Sequence, residues 1–532
     1  MSESQKKQTF LHGAALLALA TAIVKLIGAF YKIPLKMVIG DQGYGYFVTA
    51  YDIYSVLLLI STAGLPVAMS RMISQANATG KGNQVRRVYK TARTIFLALG
   101  LASALLMVFG SRFLAEKVLM QPNAAYAIAC LGPSALFMGI IATFRGFFQG
   151  HGNMRPTSTS QVLEAAFKLI VGLALAFWMM YQFKNVPLAA AGAIMGVTVS
   201  CVISTVFLYA KFRPAYNTLA TADDVPLSFG ATAKGLLAIA IPITIGSAGL
   251  QFLTIIEQRL YMGQLLTANG LSQPDADTLK GIYSMTMTIY NMPCAFISPI
   301  TISVLPAISA TLAVGDVMGV RETEESAARV TSLISLPCSV GLFILARPVM
   351  ALLGGYEGQQ LDLAATLMRL LAVCIFLQAT IQYSNVVMQA HGFAHIPVIN
   401  MLSTGVCKLA VVYFLVGNPK IGIAGAPIGA VIGYTVIAIL NLLCIRKVVP
   451  QKPRLLRNIL RSMPPALIMG AAVFFCYTLL DRVSSSRVLL CGVPIFVGVA
   501  VYLLCAVLFK SITAADCKLL PKGDKIAKLL KL

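Results

Sequence analysis

Four basic side chains lie inside long apolar stretches of the sequence: Lys25, Lys168, Arg259 and Lys408. A charged side chain at the centre of a membrane span costs roughly 2.5 to 3.5 kcal/mol on insertion scales, so such residues usually face a cavity or a partner. Acidic residues are fewer than basic ones in these stretches. A cavity with surplus positive charge and a low dielectric attracts anions, and phosphates above all. These residues therefore predict a binding site for a phosphorylated substrate.

Lys168 and Lys408 are predicted to lie near the middle of the bilayer. Pro156 suits the first turn of a helix, and Lys168 follows twelve residues later, about 18 Å along the axis. Half of a hydrocarbon core is about 15 Å. One interpretation is that Glu164, four residues earlier on the same helix face, neutralises Lys168. Lys408 has no acid at the corresponding place, which favours the alternative, a role in substrate binding.

The remaining candidates lie closer to the ends of apolar stretches. Lys25 is near the outer end of the first, where it could instead extend to the interface. Asp52 and Arg145 are near span ends, where a solvated location is the default. Glu257 and Arg259 are two residues apart and do not share a helix face, so one of them is predicted to point into the protein. No catalytic residue and no metal ligand is predicted. The full set of predicted substrate-binding residues is Lys25, Arg145, Glu164, Lys168, Glu257, Arg259 and Lys408.

Residue types that are rare in apolar sequence recur at one constant spacing. Lys168 recurs as Lys408 and His151-Gly152 as His391-Gly392, each pair 240 positions apart (391 − 151 = 240). Leu65-Pro66 and Gln149 repeat at the same spacing. Duplicated halves in a hydrophobic chain are typical of secondary transporters, whose substrate sites lie between the halves. The two His are predicted to have structural or surface roles.

The composition is that of a membrane protein. Of 532 residues, 58% are hydrophobic and only 11% are charged, whereas soluble domains carry about 25% charged residues. Spans of roughly 20 apolar residues predict about fourteen transmembrane helices, the second at 47–68, the seventh at 236–253 and the eighth at 282–305. We therefore expect an all-α polytopic protein. A net charge of +23 does not indicate a nucleic-acid partner, because the basic residues cluster in alternate loops.

Three domains are predicted. Residues 1–225 would form an N-terminal six-helix bundle, residues 226–450 a C-terminal six-helix bundle, and residues 451–532 helices thirteen and fourteen with a basic tail. Corresponding landmarks are an even number of spans apart, so the halves would be parallel repeats that rock around a central cavity. The positive-inside rule places both termini in the cytoplasm. The basic linker before helix thirteen and the basic tail are predicted to favour anionic lipid heads.

The sequence from Gln149 to Glu164, QGHGNMRPTSTSQVLE, closely resembles a signature of the oligosaccharide flippases related to stage V sporulation protein B and of the MurJ-type lipid II flippases. This family belongs to the multidrug/oligosaccharidyl-lipid/polysaccharide exporter (MOP) superfamily. Further resemblances cover nearly the whole chain: GDQGYGYF at 40–47, GLPVAMS at 64–70, Gln258 to Leu260, and Leu305 to Ser309.

The resemblance implies a fourteen-helix, V-shaped flippase of the cytoplasmic membrane. Its substrate would be an undecaprenyl-pyrophosphate-linked sugar precursor, most directly lipid II for cell-wall synthesis. It also implies that Lys25 lines the central cavity and that the last two helices hold the lipid tail. Here Tyr31, beside Lys32, occupies the position of a second basic residue of the family's first span.

Three alternatives remain at this point. A cation-coupled multidrug antiporter of the same superfamily is expected to carry an acidic cation site, which the basic bias of the spans disfavours. A membrane glycan polymerase would need a catalytic carboxylate or base in an outer loop, where only scattered acids such as Asp275, Asp277, Glu357 and Asp362 are found. A nontransporting scaffold is the third. We expect no cofactor, a monomer, and as partners a lipid-linked anionic oligosaccharide, membrane lipids and cell-wall synthesis enzymes.

Overall fold

The computed structural model describes residues 3–62, 64–219, 224–450, 453–454, 457–458, 461–484, 486–509 and 511. These residues are almost entirely helical and contain no β-strand, which confirms the predicted all-α class. The predicted basic tail, 510–531, lies outside them, save for Ser511. The helices are α1 (Glu3–Thr62), α2 (Leu65–Ala78), α3 (Gly82–Phe109), α4 (Ser111–Phe113), α5 (Ala125–Gly150), α6 (Arg155–Phe183), α7 (Val186–Asn217), α8 (Phe229–Thr267), α9 (Gln273–Val314), α10 (Val317–Ile344), α11 (Ala346–Leu353), α12 (Gly358–Ala390), α13 (His395–Val416), α14 (Gly425–Val448), α15 (Met463–Val483) and α16 (Arg487–Leu508).

Many of these helices are long and apolar enough to cross a bilayer. Eleven such segments occur among the described residues, and a shorter apolar one lies at Phe229–Ile245. One of the eleven, Ile23–Ala78, contains residues of both the first and the second predicted spans. The seventh and eighth predicted spans lie within α8 and α9. The protein is thus a multi-pass membrane protein, and the count of fourteen spans stays a prediction.

Two glycines mark interruptions of the helix in the region of the first two predicted spans. Gly40, with φ 69° and ψ −176°, interrupts the helical conformation of α1 at a kink, because a residue without Cβ adopts positive φ at little cost. The second predicted span, 47–68, is not continuous as expected, because α1 ends at Thr62 and α2 begins at Leu65. A Cβ at Gly64 would lie 2.1 Å from the carbonyl oxygen of Ala240. The chain therefore breaks where it passes close to α8.

The chain packs as two compact units, Met1–Gly281 and Ile282–Leu532. In the first unit α6 packs against α7 and α1, α3 packs against α5, and α8 packs against α1, α2 and α3. In the second unit α12 packs against α10 and α14, α13 against α14, and α15 against α16 and α10. Although the sequence assigns α8 to the second bundle, α8 packs with the first unit. The boundaries at 225 and 450 stay a prediction about the repeats.

The turn after α5 and the turn after α12 have the same backbone geometry. His151 caps α5 and His391 caps α12. The next residues, Gly152 and Gly392, have φ values of 72° and 84°, in the left-handed region that favours glycine. These turns lie in different units and are 240 residues apart in sequence. This correspondence supports the predicted duplication.

The two His side chains bind to protein groups near their own turns. Nδ1 of His151 lies 2.8 Å from the carbonyl oxygen of Phe147. Nε2 of His391 lies 2.7 Å from Oε1 of Glu324, a buried carboxyl group of α10. The first contact lies within the last turn of α5 and the second joins the turn after α12 to α10, and both agree with structural roles.

Candidate functional site

A cavity of about 200 Å³ opens in the first unit where α1, α5 and α6 come together. It brings together four of the seven residues predicted from the sequence to bind substrate. Three of the four are basic and one is acidic, so positive charge prevails in the cavity. The polar residues that line it are Thr21, Lys25, Arg145, Gln161, Glu164 and Lys168.

Arg145 is held in place by two residues of α6. Its Nη2 lies 3.0 Å from Oε2 of Glu164, and its Nε donates to Oγ of Ser160 at 3.0 Å. Both members of the ion pair are largely buried, with 13% of the Arg145 side chain and 25% of the Glu164 side chain exposed. The contacts fix the guanidinium at the wall of the cavity. The sequence analysis had also considered a solvated location for Arg145 at a span end, and only 13% of its side chain is exposed.

Lys168 is half-buried and faces two aromatic rings of α1. Its Nζ lies 5.8 Å from the ring centre of Tyr31 and 5.5 Å from that of Tyr51. Within the part of the chain that the structure describes, Glu164 makes its ion pair with Arg145 and not with Lys168. Glu164 thus attracts Lys168 electrostatically without forming an ion pair with it. Aromatic faces attract an ammonium group without cancelling its charge.

Three further residues, in or near the first-unit cavity, bear on its charge and its hydrogen bonding. Lys25 is exposed, and it contributes to the cavity lining. Oε1 of Gln161 is buried and has no hydrogen-bond partner among the described residues. Lys32 is half-buried and interacts electrostatically with Lys168 and Asp52. The positive charge near the cavity is thus larger than the predicted residues alone provide.

The other three predicted residues do not line this cavity. In the first unit, Glu257 is half-buried on α8, and Arg259 is exposed and donates from Nη1 to the carbonyl oxygen of Val118 at 3.4 Å. In the second unit, Lys408 lies against α14. Nζ of Lys408 is 5.8 Å from the ring centre of Tyr434. A Cβ added at Gly433 would lie 3.2 Å from the Cβ of Lys408.

An ion pair that the sequence analysis missed connects α1 to the start of α9. Nζ of Lys280 lies 3.6 Å from Oδ2 of Asp52, and only 1% of the Lys280 side chain is exposed. Asp52, which the sequence places near a span end, keeps 21% of its side chain exposed while it pairs with Lys280. The close approach needs small residues: a Cβ at Gly281 would lie 1.9 Å from the carbonyl oxygen of Asp41.

Asp277, one turn before Lys280, is buried and fully engaged. It accepts hydrogen bonds from Oη of Tyr46 at 2.9 Å, from Nε2 of Gln121 at 2.8 Å and from Nε2 of Gln273 at 2.9 Å. A carboxylate held by three donors inside the protein is a poor general base or acid. Asp277 was one of the acids that a glycan polymerase would have needed in an outer loop, so its position argues against that alternative.

Residues 10–312, more than half of the chain, match the model of the family described as polysaccharide biosynthesis protein. Among curated proteins, stage V sporulation protein B of Bacillus subtilis (strain 168) is 25% identical over 449 residues, which cover 84% of this chain and 85% of that protein. Lipid II flippase MurJ of the same organism is 22% identical over 479 residues, 87% of each chain.

Solved structures show the same fold. A lipid II flippase MurJ in an inward closed conformation has a TM-score of 0.68 at 13% identity, covering 93% of this chain and 99% of that one. An inward-facing multidrug resistance MATE family transporter of the MOP superfamily has a TM-score of 0.64 at 17% identity, covering 81% of this chain and 99% of that one. The chain therefore belongs to the polysaccharide biosynthesis protein family, and it is a polytopic membrane protein with the fold of these transporters.

Proposed function

We propose that this protein is a flippase that carries an undecaprenyl-pyrophosphate-linked sugar precursor, with lipid II as the leading candidate, to the outer leaflet of the cytoplasmic membrane. The observation that supports this most is the surplus of positive charge in the first-unit cavity. Lys25, Arg145 and Lys168 are opposed there by a single carboxylate, that of Glu164.

The charges suit a pyrophosphate better than a cation. Arg145 presents a guanidinium whose orientation Ser160 and Glu164 fix, and a guanidinium can donate two parallel hydrogen bonds to a phosphate. Nζ of Lys168 lies 5.8 Å and 5.5 Å from two aromatic ring centres, and aromatic faces attract an ammonium group without cancelling its charge. The low dielectric of a partly buried cavity strengthens both attractions. An organic cation would be repelled by the same groups.

The sugar part of the substrate requires neutral hydrogen-bonding groups. Gln161 lines the cavity, and its buried Oε1 accepts no hydrogen bond from the described residues. A buried acceptor without a donor is costly, so a hydroxyl group of the substrate would gain by donating to it. The side chain of Thr21 is a second neutral group in the lining.

The membrane potential can supply the driving force. Moving negative charge outward across a membrane that is negative inside releases roughly 2.3 kcal/mol per elementary charge per 100 mV. A pyrophosphate carries about two such charges, provided that the carrier returns without moving them back. A gradient of a second ion is then not needed.

Rescue of bacteria depleted of their own lipid II flippase tests the proposal. The wild-type chain should restore growth, and an inactive variant of equal protein level should not. Purified protein in liposomes should then move a labelled lipid-linked oligosaccharide faster when an inside-negative potential is imposed. Efflux of cationic drugs by the purified protein, without movement of any lipid precursor, would overturn the proposal in favour of a multidrug antiporter.

A further inference from the structure

A second cavity, of about 690 Å³, lies in the second unit between α10 and the segment that leads into α15. It has one more basic side chain than the first cavity, and all of its basic side chains are arginines. Four arginines, one carboxylate and one side-chain amide line it. Two of these residues belong to α10 and the other four to the segment before α15. They are Glu325, Arg329, Arg454, Arg457, Asn458 and Arg461.

The base of this cavity is rigidly built. Arg329 is only 8% exposed, and its Nη1 donates to Oδ1 of Asn458 at 3.0 Å. The side-chain nitrogen Nδ2 of Asn458 donates to the backbone carbonyl oxygen of Arg454 at 2.9 Å. These bonds hold the segment before α15 against α10, with a charged group buried at the contact.

The one carboxylate in the cavity is already engaged. Oε1 of Glu325 accepts from the backbone nitrogen of Arg454 at 2.9 Å and from Nε of Arg321 at 3.1 Å. The side chains of Arg454, Arg457 and Arg461 are exposed, and within the described ranges none of them makes an ion pair with a carboxylate. Like charges that line one cavity repel each other, so an anion in the cavity would reduce this repulsion.

The chemistry and the location both favour phosphate. Arginine side chains match the geometry of phosphate oxygens and can bind them with paired hydrogen bonds. The segment follows α14, whose last turn carries Arg446 and Lys447, and it precedes the predicted thirteenth span. The positive-inside rule predicts that this segment faces the cytoplasm, at the level of the anionic lipid headgroups.

We propose that the cavity formed by Arg329, Arg454, Arg457 and Arg461 binds a phosphate group, carried either by an anionic phospholipid or by a soluble phosphate, and that the bound group braces α10 against α15. This site is separate from the first-unit cavity. It does not depend on which molecule the protein transports.

The test uses the full-length protein in a neutral detergent and measures its thermal unfolding midpoint. Phosphatidylglycerol, phosphatidylcholine or inorganic phosphate is added at matched phosphate concentrations. Phosphatidylglycerol should raise the midpoint and phosphatidylcholine should not, and the rise should shrink with added salt because the attraction is electrostatic. If inorganic phosphate protects equally, the natural ligand is soluble; if it does not, the ligand is a lipid headgroup.

The matched variants separate this cavity from general surface charge. Arg457→Gln with Arg461→Gln removes two exposed cavity arginines, and about tenfold or more ligand should be needed for the same rise. Arg369→Gln with Arg482→Gln removes two exposed arginines that do not line the cavity, and it should respond as the wild type does. An unchanged response in the Arg457 and Arg461 variant, or no response of the wild type to either phosphate source, would overturn the proposal.

Discussion

Nη2 of Arg145 and Oε2 of Glu164 are 3.0 Å apart, and this pair sets how much positive charge the first-unit cavity offers. Because the carboxylate is committed to Arg145, it does not form an ion pair with Lys168, which lies one turn further along α6. The acid in the cavity thus positions one cation by an ion pair and acts on the other, Lys168, only through weaker electrostatic attraction.

Replacement of Arg145 therefore should do more than remove one charge. In Arg145→Met the Glu164 carboxylate loses its partner and can turn to Lys168, four residues away on the same helix face. Two positive charges are then lost in effect, and transport of the lipid-linked substrate should fall by about tenfold or more. The double variant Arg145→Met with Glu164→Gln should recover part of the rate, because Lys168 is set free again. A double variant as slow as the single one would argue against this coupling.

We expect the aromatic rings beside Lys168 to support substrate binding through their faces and not through their hydroxyl groups. An ammonium over an aromatic face gains about 1 kcal/mol, so Tyr51→Leu should raise the half-saturating concentration of substrate about fivefold. Tyr51→Phe keeps the ring and should behave as the wild type. Transport measured over a range of substrate concentrations distinguishes the two. Equal effects of Leu and Phe would show that the hydroxyl group matters instead.

The ion pair between Lys280 and Asp52 should be a stability element. Removing one partner of a buried pair leaves an uncompensated charge and costs about 3 kcal/mol or more. Lys280→Met and Asp52→Asn should each lower the thermal unfolding midpoint, and Asp52→Asn should lower it strongly because the Lys280 side chain is almost fully buried. The double variant should lose less than the sum of the two, with a coupling energy of about 1 to 3 kcal/mol. Additive losses would mean that the pair contributes nothing.

Much of the first-unit cavity could be predicted from the sequence. Lys168 and Glu164 stand out because charged residues are rare in apolar helices, and their spacing puts them on one face of α6. The sequence could not predict that Glu164 forms its ion pair with Arg145 and not with Lys168, because this pairing depends on how α5 packs against α6. Side-chain pairing across helices follows from three-dimensional packing, which residue type and spacing along the chain do not specify.

The contact of α1 with the start of α9 was missed for a related reason. Asp52 and Lys280 lie 228 positions apart (280 − 52), and each is near the end of a predicted span, where water is the usual partner. The glycines that permit the close approach, Gly45 and Gly281, carry a signal that could have been used: a Cβ at either one would meet the backbone of the other segment within 3.2 Å. Glycine in an apolar helix is common, however, so the sequence alone does not say which glycine marks a contact.

The most direct test of the central proposal is the rate at which the purified protein moves a labelled, pyrophosphate-linked oligosaccharide across liposomes when Lys168 is changed. Lys168→Met should lower the rate by about tenfold or more, because a charge in a low dielectric is lost, and Lys168→Arg should keep most of it. Lys90→Met, a change at an exposed lysine of α3, serves as the control and should keep the wild-type rate. A Lys168→Met protein of normal stability that moves the substrate at the wild-type rate would contradict the proposed role of the first-unit cavity.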